Sequence, residues 1–264
     1  MKQETVPVLS IAIHAIAFRE AVARILAWVA DGKRGYALLC TTHTALECLD
    51  RPPMAEIARK ADLVLPDGMP LVWIARRAGL PAERVYGPDL MLAVCEAGLS
   101  RNLRHCLYGA TPDTLVRLAS NLTERFPGLR IVESIAPPFR ELTEPEKQAM
   151  ADRINDAKPD IVWVGLGTPK QDFWVGEFRK RLNAAALIPV GAAFDFHAGR
   201  VRQAPRWMMR AGLEWLFRLA MEPRRLWKRY LIGNPRFCLL WLKQTLRQGS
   251  AAGNSRDGAR PSSK

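Results

Sequence analysis

The sequence lacks long uncharged apolar runs: at no point do about 18 apolar residues follow one another without a charge, and a bilayer-spanning helix needs about 20. We therefore expect no transmembrane segment. The first residues also lack a basic stretch followed by an apolar run and a small-residue cleavage site, so they do not predict a secretion signal. Any membrane contact is predicted to be peripheral.

Cysteine is sparse, and ligand clusters for metals are missing. The five cysteines form no CxxC pair and no zinc spacing, which favours reduced thiols in a cytosolic protein. The sequence has no Asp-x-Asp, a pair that many enzymes use to hold a metal-bound diphosphate. Asp195 and His197 would lie on one face if extended, but two ligands without a third are weak for a metal. We predict neither a metal nor a cofactor.

Negative charge is scarce at one end of the chain. The formal net charge is +13, and residues 201–264 hold 14 Lys+Arg against 3 Asp+Glu. Residues 1–200 are nearly neutral, with 25 Lys+Arg against 23 Asp+Glu. A local cationic patch implies an anionic partner, which could be a membrane surface, a nucleic acid or a phosphorylated ligand.

The first 200 residues alternate short apolar or β-branched runs with helical patterns. The predicted strands are Val8–Ile13, Tyr36–Thr41, Leu63–Leu65, Arg104–Tyr108, Arg130–Ser134, Asp160–Val164 and Ala186–Val190. The predicted helices include Arg19–Ala30, Met54–Ala61, Pro88–Gly98, Pro112–Phe126 and Glu144–Ala157. This alternation predicts an α/β fold: a Rossmann-like, mostly parallel sheet with helices on both faces.

From about Pro205 the pattern becomes helical, basic and rich in tryptophan. The predicted helices there are Arg206–Met221, Pro223–Ile232 and Pro235–Gln248, and four of the eight tryptophans lie among them. We divide the chain into an α/β core (residues 1–204), a helical C-terminal appendage (residues 205–248) and a polar tail predicted to be disordered (residues 249–264).

Polar and glycine-rich loops follow the predicted strands, and ligands bind at the carboxyl ends of parallel strands. Asp67 after the third strand could act as a general base, although Asp-Gly is also a common turn dipeptide. His43 could be an acid, a base, a hydrogen-bond donor or a structural residue. The loop 165–171 would let a ligand approach its backbone closely, or it is a tight strand-to-helix turn; its composition favours neither.

Three cations of the appendage, Arg218, Arg225 and Lys228, are spaced by seven and three residues, which places them on one face of a continuous helix. Pro223 interrupts that assumption. They could capture phosphates of a ligand or of anionic lipid, or form a solvated basic face. Clustered aromatic residues and cations with few acids favour phosphate or lipid contact.

Several motifs, taken together and in order, resemble the WecG/TagA/CpsF glycosyltransferases of bacterial surface-polymer synthesis. The motifs are TTHTALECL, ADLVLPDGMPLVW, ERVYGPDL, YGATP, PDIVWVGLGTPKQDFW, GAAFDFHAGRVRQAPRWM and GLEWLFRLAMEPRRLWKRYL. The resemblance covers roughly residues 8–247. It implies an inverting, metal-independent enzyme that moves a hexose or N-acetylhexosamine from a UDP-sugar to a polyprenyl-diphosphate-linked saccharide, peripherally bound at the cytoplasmic face of the membrane.

The resemblance also implies residue roles. Asp67 corresponds to the general base, and Thr41 and Gln171 correspond to active-site residues. His43 stands where members often carry Asn. The expected substrate-binding residues are His43, Arg84, Gly109, Gly167, Asp195, Arg218, Arg225, Lys228 and Arg229. Lys228 stands where Arg is common, and Arg229 could share its task.

Two other classes of function stay open at this point. Basic residues interleaved with aromatic ones are also typical of nucleic-acid binding, although a simple binding module would not need the glycine-rich edge of an α/β core. The other class is a non-catalytic membrane scaffold. N-acetylmannosamine, its uronic acid and glucose are all donor sugars compatible with the resemblance, and the chain could form a homo-oligomer. We expect no nucleic-acid partner.

Overall fold

The computed structural model describes residues 5–257, with side chains over residues 5–248. Its strands are β1 (Thr5–Val8), β2 (Ile11–His14), β3 (Gly35–Cys40), β4 (Leu63–Pro66), β5 (Arg104–Gly109), β6 (Arg130–Ile135), β7 (Ile161–Gly165) and β8 (Ala186–Pro189). Its core helices are α1 (Phe18–Ala30), α2 (Thr42–Asp50), α3 (Pro52–Lys60), α4 (Met69–Arg77), α5 (Gly87–Gly98), α6 (Pro112–Arg125), α7 (Glu144–Asp156), α8 (Lys170–Phe178) and α9 (Ala193–His197). Helices α10 (Arg206–Arg210), α11 (Glu214–Met221), α12 (Pro223–Trp227) and α13 (Gly233–Asp257) complete the described chain.

Six strands form a parallel sheet in the order β4-β3-β8-β7-β5-β6. Its central strands are short apolar runs that are buried on both faces, as parallel sheets require. Helices α2, α3, α4, α7 and α8 cover one face, and α1, α5, α6 and α9 cover the other. The predicted α/β architecture with a helical C-terminal end is confirmed.

The N-terminal prediction was wrong in one respect. The predicted strand Val8–Ile13 is an antiparallel hairpin of β1 and β2, separate from the main sheet. Leu9, at the turn, has a φ of 54°, in the left-handed region where an extended strand cannot continue. Apolar side chains alternate on both sides of this turn, and therefore the run resembled one strand.

The helix boundaries in the appendage also differ from the predicted ones. The predicted helix Arg206–Met221 is broken at Gly212, which has a φ of +73°. A Cβ at that position would come within 2.6 Å of the Trp73 ring, so glycine allows the appendage to pack closely on α4.

The two later predicted helices are joined. A π-helical turn, Lys228–Ile232, links α12 to α13, so no helix begins at Pro235. Proline lacks the N–H that an α-helix would need there, and a widened turn just before it accommodates that loss. Helix α13 continues to Asp257, past the predicted start of the tail at residue 249. Residues 258–264 lie outside the described residues, and the domain division stays a prediction.

Side chains of the appendage attach it to the core at several points. The Arg236 guanidinium pairs with the Asp50 carboxylate at 2.5 Å, and Asn234 Oδ1 accepts a hydrogen bond from the Thr42 hydroxyl at 2.9 Å. Phe237 is buried in the core on the α2 side of the sheet. No helix among the described residues is both long and apolar enough to cross a membrane. All five cysteines are free thiols.

Candidate active site

A cavity of about 910 Å³ lies between the appendage and the carboxyl ends of β3, β4, β7 and β8. The predicted site residues that line it are Thr41, His43, Asp67, Arg84, Gly167, Gln171, Asp195, Arg218, Arg225, Lys228 and Arg229. Its volume is in the upper part of the range typical of small-molecule sites. The structure therefore brings together residues from more than half of the chain.

Gly109 is the one predicted site residue that does not line the cavity. It ends β5, which lies outside the four strands beneath the site. Its φ is +128°, and an added Cβ would come within 2.5 Å of the Gly165 carbonyl oxygen. Close contact between the ends of β5 and β7 explains this glycine, so the predicted substrate contact has no support in the geometry.

Asp67 follows β4 directly and is held in place by Arg84. The Arg84 Nε donates to the Asp67 backbone oxygen at 2.5 Å, and the Arg84 Nη2 donates to Asp67 Oδ1 at 3.1 Å. The pKa of Asp67 is raised to about 6: burial raises it most, Arg84 opposes the shift, Glu214 adds to it, and Arg218 opposes it more weakly. Such a carboxylate is ionised at neutral pH and still basic enough to accept a proton in a reaction.

Sequence reasoning missed Glu214, which lies at the start of α11. Its Oε2 accepts a hydrogen bond from Arg84 Nη2 at 2.6 Å, and its side chain is only 13% exposed. Arg84 is thus shared between Asp67 and Glu214, one from the core and one from the appendage. The signal was present, because Glu214 is one of only three acidic residues within residues 201–264.

Thr41 occupies the N-cap of α2, between β3 and the helix. Its Oγ1 accepts a hydrogen bond from the Thr44 backbone N–H at 3.3 Å, and the Thr44 Oγ1 accepts one from the Thr41 backbone N–H at 3.2 Å. This capping box fixes the Thr41 side chain at the cavity wall. The Arg229 guanidinium reaches the same hydroxyl at 3.5 Å.

His43, in the first turn of α2, is held as a neutral imidazole. Burial lowers the pKa of His43 to about 4, and the positive charges of Arg229 and Arg51 act in the same direction. Its Nδ1 lies 3.9 Å from a Glu47 carboxylate oxygen. A neutral ring offers one donor and one acceptor, the two kinds of hydrogen-bonding group that an amide side chain also offers.

Gln171 organises the loop after β7. Its side chain is buried, and its Oε1 accepts a hydrogen bond from the Gly167 backbone N–H at 3.0 Å. The Gln171 N–H in turn donates to the Gly167 oxygen at 3.0 Å. Gly167 has a φ of +76° and open space where a Cβ would stand, so the loop presents bare backbone to the cavity. Helix α8 begins directly after this loop, at Lys170.

The cations of the appendage fall into two pairs. Arg218 and Arg229 are largely covered, and their Nε atoms are buried without a hydrogen-bond partner in the part of the chain that the structure describes. Burial lowers the pKa of Arg229, and Arg218 nearby lowers it further. By contrast, Arg225 is 63% exposed and pairs with Glu222 at 2.8 Å, and Lys228 is exposed.

The candidate metal-ligand pair is not formed. Asp195 and His197 lie in the helix α9, not in an extended segment, so they do not share a face. Asp195 lines the cavity, whereas the His197 Nε2 lies 3.0 Å from the Pro88 backbone oxygen. Within the described side chains, no cluster of three or more His, Cys, Asp or Glu is placed to hold a metal ion.

The site thus places a largely covered carboxylate beside largely covered guanidinium groups at the carboxyl edge of a parallel sheet, where ligands of such folds bind. The sequence model of the glycosyl transferase WecG/TagA/CpsF family matches residues 6–251. The chain belongs to this family and is a glycosyltransferase of cell-surface polysaccharide synthesis.

Two curated relatives align with most of this chain. Both are named N-acetylglucosaminyldiphosphoundecaprenol N-acetyl-beta-D-mannosaminyltransferase. The one from Bacillus spizizenii (strain ATCC 23059 / NRRL B-14472 / W23) is 28% identical over 202 residues, 76% of each chain. The one from Bacillus subtilis (strain 168) is 30% identical over 190 residues, 72% of each chain.

Proposed function

We propose that this glycosyltransferase moves a hexose or N-acetylhexosamine from a UDP-sugar to a polyprenyl-diphosphate-linked saccharide, with inversion and without a metal. The observation that carries the proposal is that Arg218 and Arg229, which line the same cavity as Asp67, are partly covered and each bury an Nε without a hydrogen-bond partner among the described residues. Covering a cation that lacks acceptors is costly, and a diphosphate in the cavity would supply acceptors for these guanidiniums.

The transfer is a single displacement in this proposal. The acceptor hydroxyl oxygen attacks the anomeric carbon, and the bond from that carbon to the diphosphate oxygen breaks. Asp67 takes the hydroxyl proton, and the leaving UDP keeps the bonding electron pair. Negative charge therefore builds on the diphosphate, where Arg218 and Arg229 would stabilise it without a metal. Thr41, the neutral His43 and the loop at Gly167 would orient the two sugars.

Peripheral contact with an anionic membrane on its cytoplasmic side is part of the proposal. Much of the exposed apolar surface belongs to the appendage: Trp207, Leu216, Met221, Trp227, Leu231, Ile232, Leu239, Leu242 and Leu246. Arginines and lysines are interleaved with these residues, a composition typical of segments that lie in a membrane interface. Docking there would bring the cavity to a lipid-linked acceptor.

One assay tests these points together. Full-length protein, with a chelator present, is given N-acetylglucosaminyldiphosphoundecaprenol in anionic or neutral vesicles and a panel of UDP-sugars. We expect one UDP-sugar to release UDP, faster with anionic vesicles, and to give a product of inverted anomeric configuration by NMR. Retained configuration, or dependence on added metal, would refute the mechanism; tight binding of DNA without any transfer would favour the nucleic-acid alternative.

A further inference from the structure

A second, smaller cavity of about 460 Å³ lies on the seam between α2, α13 and the N-terminal hairpin. The residues that line it are Leu9, Leu49, Leu240, Lys243, Gln244, Arg247 and Gln248. We call this cavity the seam groove. It combines leucine side chains with two cations, and none of its lining residues is acidic.

The far side of the seam groove is fixed by Gln244. Its Oε1 accepts a hydrogen bond from the Leu9 backbone N–H at 2.8 Å, and its Nε2 donates to the Pro7 oxygen at 3.1 Å. These bonds hold α13 against the hairpin turn. The groove is thus a built feature of the helix packing, and Leu49 on its rim is 40% exposed.

The seam groove and the active-site cavity are both lined by residues of α2 and α13. Asp50 and Arg236 line the active-site cavity and pair across α2 and α13. Leu49 precedes Asp50 in α2, and Leu240 lies four residues after Arg236 in α13. Four residues of an α-helix rise about 6 Å. The groove therefore begins about one helical turn from the wall of the active-site cavity.

We infer that the seam groove binds the first part of the polyprenyl chain of the acceptor, an inference that rests on the proposed function. An acceptor whose sugar lies at Asp67 must lead its diphosphate and hydrocarbon chain out of the active-site cavity. A groove of leucines that starts one turn away would bury the hydrocarbon. Lys243 and Arg247, which lie farther along α13, would stay near the lipid headgroups.

Chain-length dependence separates this groove from the rest of the site. Two acceptors share the same N-acetylglucosaminyl diphosphate, one esterified to undecaprenol and one to methanol, and both are assayed in detergent. The variants are Leu49→Gln, Leu240→Gln and, as the matched control, Val116→Gln. Val116 lies on α6, is 70% exposed and lines neither cavity.

For the undecaprenyl acceptor, we expect Leu49→Gln and Leu240→Gln to raise KM about tenfold, with KM for the methyl acceptor and the control unchanged. Equal loss with both acceptors would show a structural role and overturn the inference. Unchanged KM with loss of self-association would also overturn it and identify an interface between copies. A wild-type enzyme inactive on both acceptors would instead refute the proposed function.

A second measurement does not depend on variants. Wild-type protein is photolabelled with a diazirine-bearing prenyl diphosphate and digested for mass spectrometry. We expect the label on peptides from residues 42–50 and 233–248, and competition by undecaprenyl diphosphate. Labelling confined to other exposed apolar residues, such as Trp207 or Trp227, would overturn the inference.

Discussion

The two walls of the active-site cavity differ in how their polar groups are satisfied. On the core wall, Asp67, Thr41 and Gln171 each have a hydrogen-bond partner that also belongs to the core. On the appendage wall, Arg218 and Arg229 each bury an Nε without a partner in the described part of the chain. The three core side chains are therefore hydrogen-bonded within the core, whereas the two appendage arginines each keep an unpaired donor.

Where the walls meet, they share Arg84, which donates to Asp67 of the core and to Glu214 of the appendage. This contact links the position of the appendage to the charge state of the proposed base. A core without the appendage would lose Glu214, which raises the pKa of Asp67. In the proposed function, the core wall accepts the proton and the appendage wall stabilises the charge of the leaving group.

The largest effect is expected on the core wall. Asp67→Asn removes the proton acceptor and keeps the shape of the side chain, so we expect kcat to fall about 10²–10⁴-fold with little change in UDP affinity. Steady-state kinetics and UDP titration calorimetry check this. Asp113→Asn, on the exposed side of α6, is the matched control. A near-normal kcat for Asp67→Asn would place the base elsewhere.

The next largest effect is expected on the appendage wall. Arg229→Gln and Arg218→Gln each remove a partly covered cation. Charge-assisted bonds to such a group are worth about 1.5–3 kcal/mol, which predicts about a 10- to 150-fold loss of kcat/KM. Arg225→Gln is the matched control, because that side chain is 63% exposed and already paired with Glu222. We expect it to cost only a few-fold.

One result would contradict the expected order of effects among the appendage cations. If Arg225→Gln and Lys228→Gln reduce kcat/KM as much as Arg229→Gln does, the exposed pair moves onto the diphosphate when substrate binds. The difference between buried and exposed cations would then describe the free enzyme only.

The core wall was more predictable from the sequence than the appendage wall, and the reason is physical. Buried parallel strands such as Ile161–Gly165 are continuous apolar runs, and the loops after them must lie at one edge of the sheet. The positions of Asp67 and of the loop that contains Gln171 at this edge were therefore predictable from the strand pattern, whereas their roles were implied only by the family resemblance. Which appendage cations are covered and which are exposed was not predictable, because the exposure of each side chain depends on how the appendage packs on the core.

Contacts between distant residues and local exceptions to helix rules were equally hidden. The bond from Arg84 to Glu214 joins residues 130 positions apart, and neither motif indicates it. Proline ordinarily marks a helix boundary, but here a π-helical turn precedes Pro235 and the helix continues through it. The hairpin turn at Leu9 uses a left-handed backbone without a glycine to mark it.

The smallest effect is expected where the two walls meet, and it is seen in the pH profile. Asp67 must be ionised to accept a proton, so kcat/KM should fall as pH drops through about 6, the pKa of its carboxyl. Glu214→Gln removes a negative charge that raises this pKa. It also leaves Asp67 as the only carboxylate that accepts hydrogen bonds from Arg84. Both changes favour the ionised form, so the acid limb should move to lower pH by about half a unit to one unit.

Glu124→Gln, on the exposed face of α6, should leave that limb in place. Profiles of kcat/KM between about pH 4.5 and 8 for the wild type and both variants measure the shift. An acid limb that moves upward in Glu214→Gln would mean that Glu214 orients Arg84 toward Asp67 more than its charge opposes ionisation. The appendage would then act on the base through hydrogen-bond geometry, and the same contact would stabilise the carboxylate instead of raising its basicity.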